Sequence, residues 1–287
     1  MAESFYLRSL KPLDLTEMYI AFLDAFSDYP VAFKLTKEQF VRKFVEKLKI
    51  DFSLSIGAYD YDALAGFIFT SVNHYNGKLT AYNGGTGVRP AYRGNKLTTQ
   101  MYNYLTPLLQ KRKIKQCVLE VLTENKKAIN AYEQVGFVPT KYFKCFKLST
   151  ALLKRPLDLS LDIFSIAKPD WHIYEKFSDY TPSFLDSPQM ITSNLANEEI
   201  IEAHHENKCV GYSIFQPSFG RISQIGVHTD YRNKGIGSAM ISYMHNRSLQ
   251  KELTIINIDK EAEDTLHFFS RIGFDNQLDQ YEMVLSL

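Results

Sequence analysis

The stretch that decides the fold is V-H-T-D-Y-R-N-K-G-I-G-S, Val227 to Ser238. Ahead of it, Ile222, Ile225 and Val227 read as a buried strand. Behind it, Ile236, Ala239, Met240, Tyr243 and Met244 recur at helical spacing. The stretch is therefore a strand-to-helix turn, basic in its middle and glycine-bearing at its end. Such a turn aims backbone N–H groups and the positive end of a helix dipole at one point, where an anion fits. Gly235 and Gly237 allow close backbone approach, and Arg232 and Lys234 add charge. A Walker loop needs G-x-x-x-x-G-K-[ST], which is absent. A dinucleotide fingerprint needs a third glycine where Met240 stands, and its first glycine should follow the strand directly. Here His228 to Lys234 intervene, although Asp259 superficially fits the ribose-binding acid. A strand, loop and helix with no ligand at all is the plain alternative.

Composition bounds the rest. With 287 residues the chain has the length of two domains, expected at 1–150 and 151–287. Hydrophobic content of 45% is enough for real cores, and most of the 18 Tyr and 20 Phe belong there. A net charge of +1 gives no electrostatic reason to expect nucleic acid. Cys117, Cys145 and Cys209 show no metal-type spacing and leave an odd one out, so reduced thiols and no metal are expected. The start M-A-E-S-F-Y-L lacks a signal-peptide pattern, and no apolar run approaches about 18 residues. These features together lead to the expectation of a cytoplasmic protein with no membrane partner.

Read in order, Phe5 to Leu10 is a strand and Asp14 to Phe26 an amphipathic helix, broken at Tyr29-Pro30. Thr36 and Gln39 form a capping box ahead of a helix carrying Phe40, Phe44, Val45 and Leu48. Strands Ser53 to Tyr59 and Leu64 to Val72 flank Asp60-Tyr61-Asp62 as a hairpin. Tyr82 to Val88 is a further strand, and a helix follows from about Leu97 to Lys113, which Pro107 should bend or shorten. Cys117 to Leu122 is a strand, Asn125 opens a helix that Gly136 stops, and Phe137 to Leu148 closes the half.

The order then repeats. Leu159 to Ile166 is a strand, and helical segments lie near Trp171 to Phe177 and Ser187 to Leu195. Ile200 to His205 and Val210 to Phe215 form a hairpin around Glu206-Asn207-Lys208. Leu253 to Ile258, Glu261 to Arg271 and Phe274 to Leu285 finish as strand, helix and strand. Val88 and Val227 stand 139 residues apart, as do Tyr92-Arg93 and Tyr231-Arg232; Gly136-Phe137 and Gly273-Phe274 stand 137 apart. This is a duplication with a period near one domain. The boundary is expected in Ser149 to Leu157, where Lys154-Arg155-Pro156 interrupts the pattern.

In Val227 to Gly237 the pattern V-x-x-x-Y-R-x-x-G-x-G resembles the acetyl-CoA loop of the GNAT superfamily of N-acetyltransferases. In the first half, V-L-T-E-N-K-K-A-I-N-A-Y-E-Q-V-G-F is similar to that family's N-x-x-A-x-x-x-Y-x-x-x-G-F segment. The resemblance covers nearly the whole chain, most clearly Val88 to Phe137 and Val227 to Phe274. It implies an α/β (α+β) protein: two GNAT folds in tandem, each a mixed, mostly antiparallel sheet flanked by helices. It also implies that the strand before the loop and the strand before the last helix diverge into a V. The acyl-pantetheine arm of acetyl-CoA would lie there, hydrogen-bonded to the backbone of Val88 or Val227. The loop amides would take the diphosphate. The implied cofactor-binding residues are Val227, Arg232, Asn233, Lys234, Gly235, Ile236, Gly237 and Ser238, with Val88, Arg93, Gly94 and Lys96 in the first half.

The halves depart from the family pattern in opposite ways. The first has Lys96 and Thr98 where the family has glycine or alanine, so Lys96 either blocks the phosphates or binds them. It keeps Tyr132 in the place of the family's usual proton donor to the departing thiolate, and Asn125. The second half has the better loop, but Phe269 and Ala262 stand at those two positions. His267, Asn257 and Tyr281 are its nearby polar candidates. Gln224 and Asn83 are the polar residues on the strands before the loops, where no carboxylate stands. The expected activity is transfer of an acetyl group from acetyl-CoA to a primary amine of a small molecule or peptide by direct attack. The alternative is a non-catalytic acyl-CoA-binding or protein-interaction relative. A homodimer is compatible with either. Acceptor choice would lie around Ala25 to Thr36 and Asp179 to Gln189, where Asp24, Asp28, Asp179 and Asp186 suit a cationic amine.

Overall fold

A computed structural model describes residues 5–28, 35–148, 156–250 and 252–287. The break expected at Tyr29-Pro30 and most of the expected boundary, Ser149 to Arg155, lie outside the described residues. Two compact units are present: Met1–Thr140 with Glu282–Leu287, and Lys141–Tyr281. They do not follow the two halves of the sequence. Lys141 to Leu148, which sequence order assigns to the first half, packs in the second unit, and the last six residues pack in the first.

In the first unit, β1 (Tyr6–Ser9) leads to α1 (Leu15–Ala25), then α2 (Lys37–Val41), which continues as one π-helical stretch over Arg42–Lys47. The capping box forms: Gln39 N–H donates to Thr36 Oγ1, and Thr36 N–H to Gln39 Oε1. Strands β2 (Ile56–Asp60), β3 (Ala63–Tyr75) and β4 (Lys78–Val88) form an antiparallel meander with β1. Helix α3 (Leu97–Lys111) runs through Pro107. The proline removes an N–H, but it and Asn103, whose carbonyl loses that partner, are both exposed to water. Strand β5 (Gln116–Leu122) pairs in parallel with β4, and α4 (Lys126–Val135) begins at Asn125, whose side chain accepts from Ala128 N–H. Phe22, Phe40, Phe44, Phe67 and Phe69 are buried between α1, α2 and the sheet. Each contributes about 1.5–3 kcal/mol by leaving water.

β6 (Val138–Leu148) crosses between the units, and from Lys141 it pairs antiparallel with β11 (Leu253–Asp259) of the second. Around them stand β7 (Asp162–Ile166), α5 (Trp171–Tyr174), α6 (Pro188–Thr192), β8 (Glu199–His205), β9 (Lys208–Gln216), β10 (Arg221–Val227), α7 (Ile236–Arg247), α8 (Glu263–Arg271) and β12 (Asp275–Ser286). Strands β7, β8, β9 and β10 are successive antiparallel neighbours, and β10 is parallel to β11. The implied mixed sheet flanked by helices is present in each unit. Among the described residues, no helix is long and apolar enough to cross a membrane.

The duplication extends to irregularities. One residue of β4, Gly84, is bulged out of register with β3; one residue of β10, Ser223, is bulged out of register with β9. These two stand 139 residues apart, the spacing of the loops themselves.

Candidate functional site

Strands β10 and β11 pair only at Arg221–Thr254 and Ile222–Ile255; beyond the Ser223 bulge they part. Strands β4 and β5 part likewise after Tyr82–Val118. On its other side β10 stays paired with β9 to Val227, and His228 N–H donates to Val210 O. An antiparallel strand alternates its hydrogen-bonding direction, so Ile225 and Val227 turn their backbone groups into the gap. Val88 holds the matching place, with Arg89 N–H donating to Ala65 O.

The gap of the second unit opens into a cleft of about 170 Å³. Val227, Arg232, Asn233, Gly235, Ile236, Gly237 and Ser238 line it from the loop and α7. Phe177, Asp179, Asp264, Thr265, Phe268 and Arg271 line it from the facing elements. The loop backbone is poised for an anion. Ala239 N–H donates to Gly235 O, the first bond of the helical ladder, whereas the amides of Asn233, Lys234, Gly235, Ile236 and Gly237 have no acceptor among the described residues. These donors lie at the positive end of α7. A diphosphate therefore fits the donor set: a row of unused N–H groups and no carboxylate among loop residues 232–238.

Gly235 takes φ +85 and Asn233 φ +62, both left-handed. A Cβ on Gly235 would lie 2.2 Å from the Pro156 carbonyl oxygen, and Asp158 N–H donates to Lys234 O. The chain that enters the second unit thus lies against the carbonyl side of the loop. A Cβ on Gly237 would lie 2.7 Å from the Phe268 ring.

Arg232 does not extend into the cleft as a free cation. Its guanidinium donates to Val227 O and Phe177 O and pairs with Asp179 at 2.7 Å, with Asp264 at 3.8 Å. Arg93 repeats the arrangement, donating to Val88 O and Ala25 O and pairing with Asp28 at 2.6 Å. Arg93 holds the Asp28 carboxyl at about 2. Each arginine ties three things together: the end of the strand before the loop, the loop, and the segment after the first helix of its half. Asp28 and Asp179, which sequence reading offered as acceptor-side acids, are the partners of these braces. Lys234 lies with its Nζ over the Tyr231 ring at 5.0 Å.

The sequence reading missed Arg271. It is exposed at the cleft wall, and among the described residues no carboxylate lies within ion-pair distance. Its signal was its place on α8, three residues after Phe268, on the same helix face.

In the first unit, Lys96 adopts φ +54, ψ +30, so its loop makes the same left-handed turn as Gly235 despite the side chain. The amides of Gly94, Lys96, Leu97 and Thr98 also have no acceptor among the described residues. Gly94 has φ +86 with open space at its Cβ position. Tyr132 is largely buried, edge-on to Tyr102 and close to Phe137. Tyr102 is buried and accepts from Asn83 Nδ2, and burial pushes its phenol well above the usual value. In the second unit Phe269 is wholly buried, stacked on Phe146 and edge-on to Phe274.

The other polar candidates of the second unit lie outside the cleft lining. His267 is exposed on α8 and lies outside the cleft lining. Tyr281 packs edge-on against Tyr142. Asn257, at φ +61 in a bulge of β11, is buried among Ser183, Gln280 and Cys145. Gln224 accepts from Tyr212 OH and donates to Asp186 O, while Asp186 pairs with Arg221 at 2.7 Å.

A model described as the acetyltransferase (GNAT) family matches residues 16–137, and one described as an acetyltransferase (GNAT) domain matches residues 196–276. Among solved structures, a putative acetyltransferase from Pyrococcus horikoshii is 17% identical with a TM-score of 0.70, covering 99% of this chain and 89% of that one. A GCN5-related N-acetyltransferase from Sphaerobacter thermophilus is 15% identical, TM-score 0.71, covering 98% and 95%. A tandem GNAT protein from the clavulanic acid biosynthesis pathway is 11% identical, TM-score 0.70, covering 99% and 98%. At these identities the likeness is one of fold. A search of curated proteins finds no match.

Proposed function

We propose, from the premise that the chain belongs to the GNAT acetyltransferase family as two domains in tandem, that it is an acetyl-CoA-dependent N-acetyltransferase whose second unit holds the cofactor. The observation that carries this is the row of unused amides from Asn233 to Gly237 at the start of α7, opening on a cleft. Bound there, acetyl-CoA supplies a thioester carbon that an amine can attack directly. The amides of Asn233 to Gly237 hold the diphosphate, with Arg271 on the cleft wall as a neighbouring cation. Arg232 holds the loop in shape and leaves phosphate contact to the backbone. Ile225 and Val227 offer strand-like hydrogen bonds to an extended arm in the gap, and fix the thioester relative to the acceptor. An N–H there polarises the carbonyl. The acceptor is a primary amine of a small molecule or peptide.

A second reading has an observation of its own. The helix position that would carry a proton donor in the second unit is Phe269, which is apolar and sealed in the core. A protein that binds acyl-CoA without turning it over would look this way. One experiment separates the two. Acetyl-CoA is titrated into the intact chain by calorimetry, and thiol release is then followed with a panel of amines. Binding at one equivalent with thiol release supports the enzyme, binding without release for any amine supports the second reading, and no binding removes both.

A further inference from the structure

The molecule carries a second cluster of reactive side chains, away from the cofactor cleft. On the β8–β9 hairpin, a carboxylate oxygen of Glu202, a ring nitrogen of His204 and the Cys209 thiol lie within 4.8 Å of one another. Glu202 is 8% exposed and the other two are half-buried. We propose that Glu202, His204 and Cys209 form a binding site for a zinc-type divalent cation, with a fourth position open to water.

The backbone is bent to make this cluster. Along β8, Glu202 and His204 alternate onto the face that carries Ile200 and packs on Tyr174. On β9, Tyr212 and Ile214 face the same way. Strict alternation would then put Val210 beside them and turn Cys209 to the opposite face. Instead Ala203 pairs with Gly211 and His204 with Cys209, so Val210 is a bulged residue. Val210 joins the other core, and Cys209 comes round to pack beside Tyr212, directly across from His204. Re-aiming one side chain is what a bulge accomplishes.

The remaining partners orient the donors. Tyr174 OH donates to Glu202 Oε1 at 2.7 Å, and Tyr174 is itself fixed by stacking on Tyr212 at 4.0 Å. That leaves Glu202 Oε2 for His204 Nε2, 2.7 Å away. A cation bound by both atoms would replace this hydrogen bond, with the two atoms moving slightly apart to ligand spacing. His204 is held by the Phe164 ring at 4.9 Å. The three donor atoms lie together in one half-buried pocket, where a bound cation would offset the Glu202 carboxylate. One thiolate, one imidazole and one carboxylate suit zinc and disfavour calcium or magnesium, which prefer oxygen alone. The cysteine spacing gave no hint of this, because only one of the three thiols takes part and its partners are a histidine and a glutamate.

The test uses the full chain stripped of metal by a chelator and titrated with cobalt(II). One equivalent should bind with a thiolate-to-cobalt charge-transfer band, and zinc should displace it. Cys209→Ser should abolish the band and His204→Gln should weaken binding at least tenfold, while Cys117→Ser leaves both unchanged. Metal-free melting curves matching the parent show that the variants are folded. Tyr174→Phe should keep the band with affinity lower by roughly 10–100-fold. No band at stoichiometric cobalt, or a band that survives Cys209→Ser, overturns the site.

Discussion

Gly235 and Lys96 hold equivalent places at the start of their helices, and exchanging their chemistry tests the loop reading. Gly235→Ala adds a Cβ at φ +85, where a left-handed L-residue costs about 1–2 kcal/mol. The new atom also meets the Pro156 carbonyl oxygen at 2.2 Å and Leu157 Cα at 3.1 Å. Both are backbone, so no side chain can rotate away and the loop itself must shift. The amides of Asn233 to Gly237 converge on one point only in the present geometry. A hydrogen bond to a charged group is worth about 1.5–3 kcal/mol, so misplacing one amide lowers affinity by about one to two decades. Lys96→Gly works the other way. It relieves the left-handed strain at φ +54, less about 0.5–1 kcal/mol for the extra freedom of glycine in the unfolded chain. The first unit should therefore keep its stability or gain about 1 kcal/mol. Calorimetry with acetyl-CoA and thermal melting read both variants. Acetyl-CoA binding to Gly235→Ala with the parent's affinity would refute the loop geometry, and a clear loss of stability in Lys96→Gly would refute the strain.

Four further outcomes are expected. Arg232→Ala should weaken acetyl-CoA binding and lower stability by about 1–3 kcal/mol, discounted for partial exposure, because it frees Val227 O, Phe177 O and Asp179 together; an unchanged melt would deny the brace. Gly237→Thr should destabilise through the Phe268 ring at 2.7 Å, and adding Phe268→Ala should recover most of the loss in a double-mutant cycle, since the first half carries Thr98 and Ala131 at the matching positions. Tyr132→Phe should leave thiol release unchanged if turnover belongs to the second unit, and a large drop would move the chemistry to the first. Arg8, hydrogen-bonded to Asp14, holds that carboxyl below its ordinary 3.8, so the contribution is whole above that pH and is lost as the pH falls through the lowered value; Asp14→Asn should flatten the acid limb of a stability–pH curve.

Much of the architecture was legible because it is written in local chemistry. The capping box at Thr36, the cap at Asn125 and the left-handed stop at Gly136 each declare a helix end within a few residues. Boundaries shifted where the signal was weak: β4 begins at Lys78 and not at Tyr82, and β2 begins at Ile56, after a turn over residues 52–54. The exchange of closing strands was invisible. Lys141 to Leu148 and Glu282 to Leu287 have the alternation any edge or central strand would have, and pairing across more than 100 residues leaves no local mark. Arg232 was legible as a site residue but not in its task, because a sequence gives a charge and withholds the carbonyls it will meet.

Arg232 and Arg93 stand in loops that have otherwise diverged. Substitution has altered Gly235 against Lys96, Gly237 against Thr98 and Phe269 against Tyr132, yet both arginines keep the same three kinds of partner: a strand-end carbonyl, a carbonyl near the first helix, and an aspartate within 2.7 Å just after that helix. A phosphate-binding cation would have no reason to retain internal carbonyls in a loop that carries Lys96. A brace would, because the turn must be held whatever ligand it meets. The open amides in both loops are then a consequence of the braced turn, and ligand choice falls to what surrounds them: Gly235 with no side chain and Arg271 in the second unit, a lysine and a buried tyrosine in the first. On that logic the loops share one backbone device and differ in what they can admit.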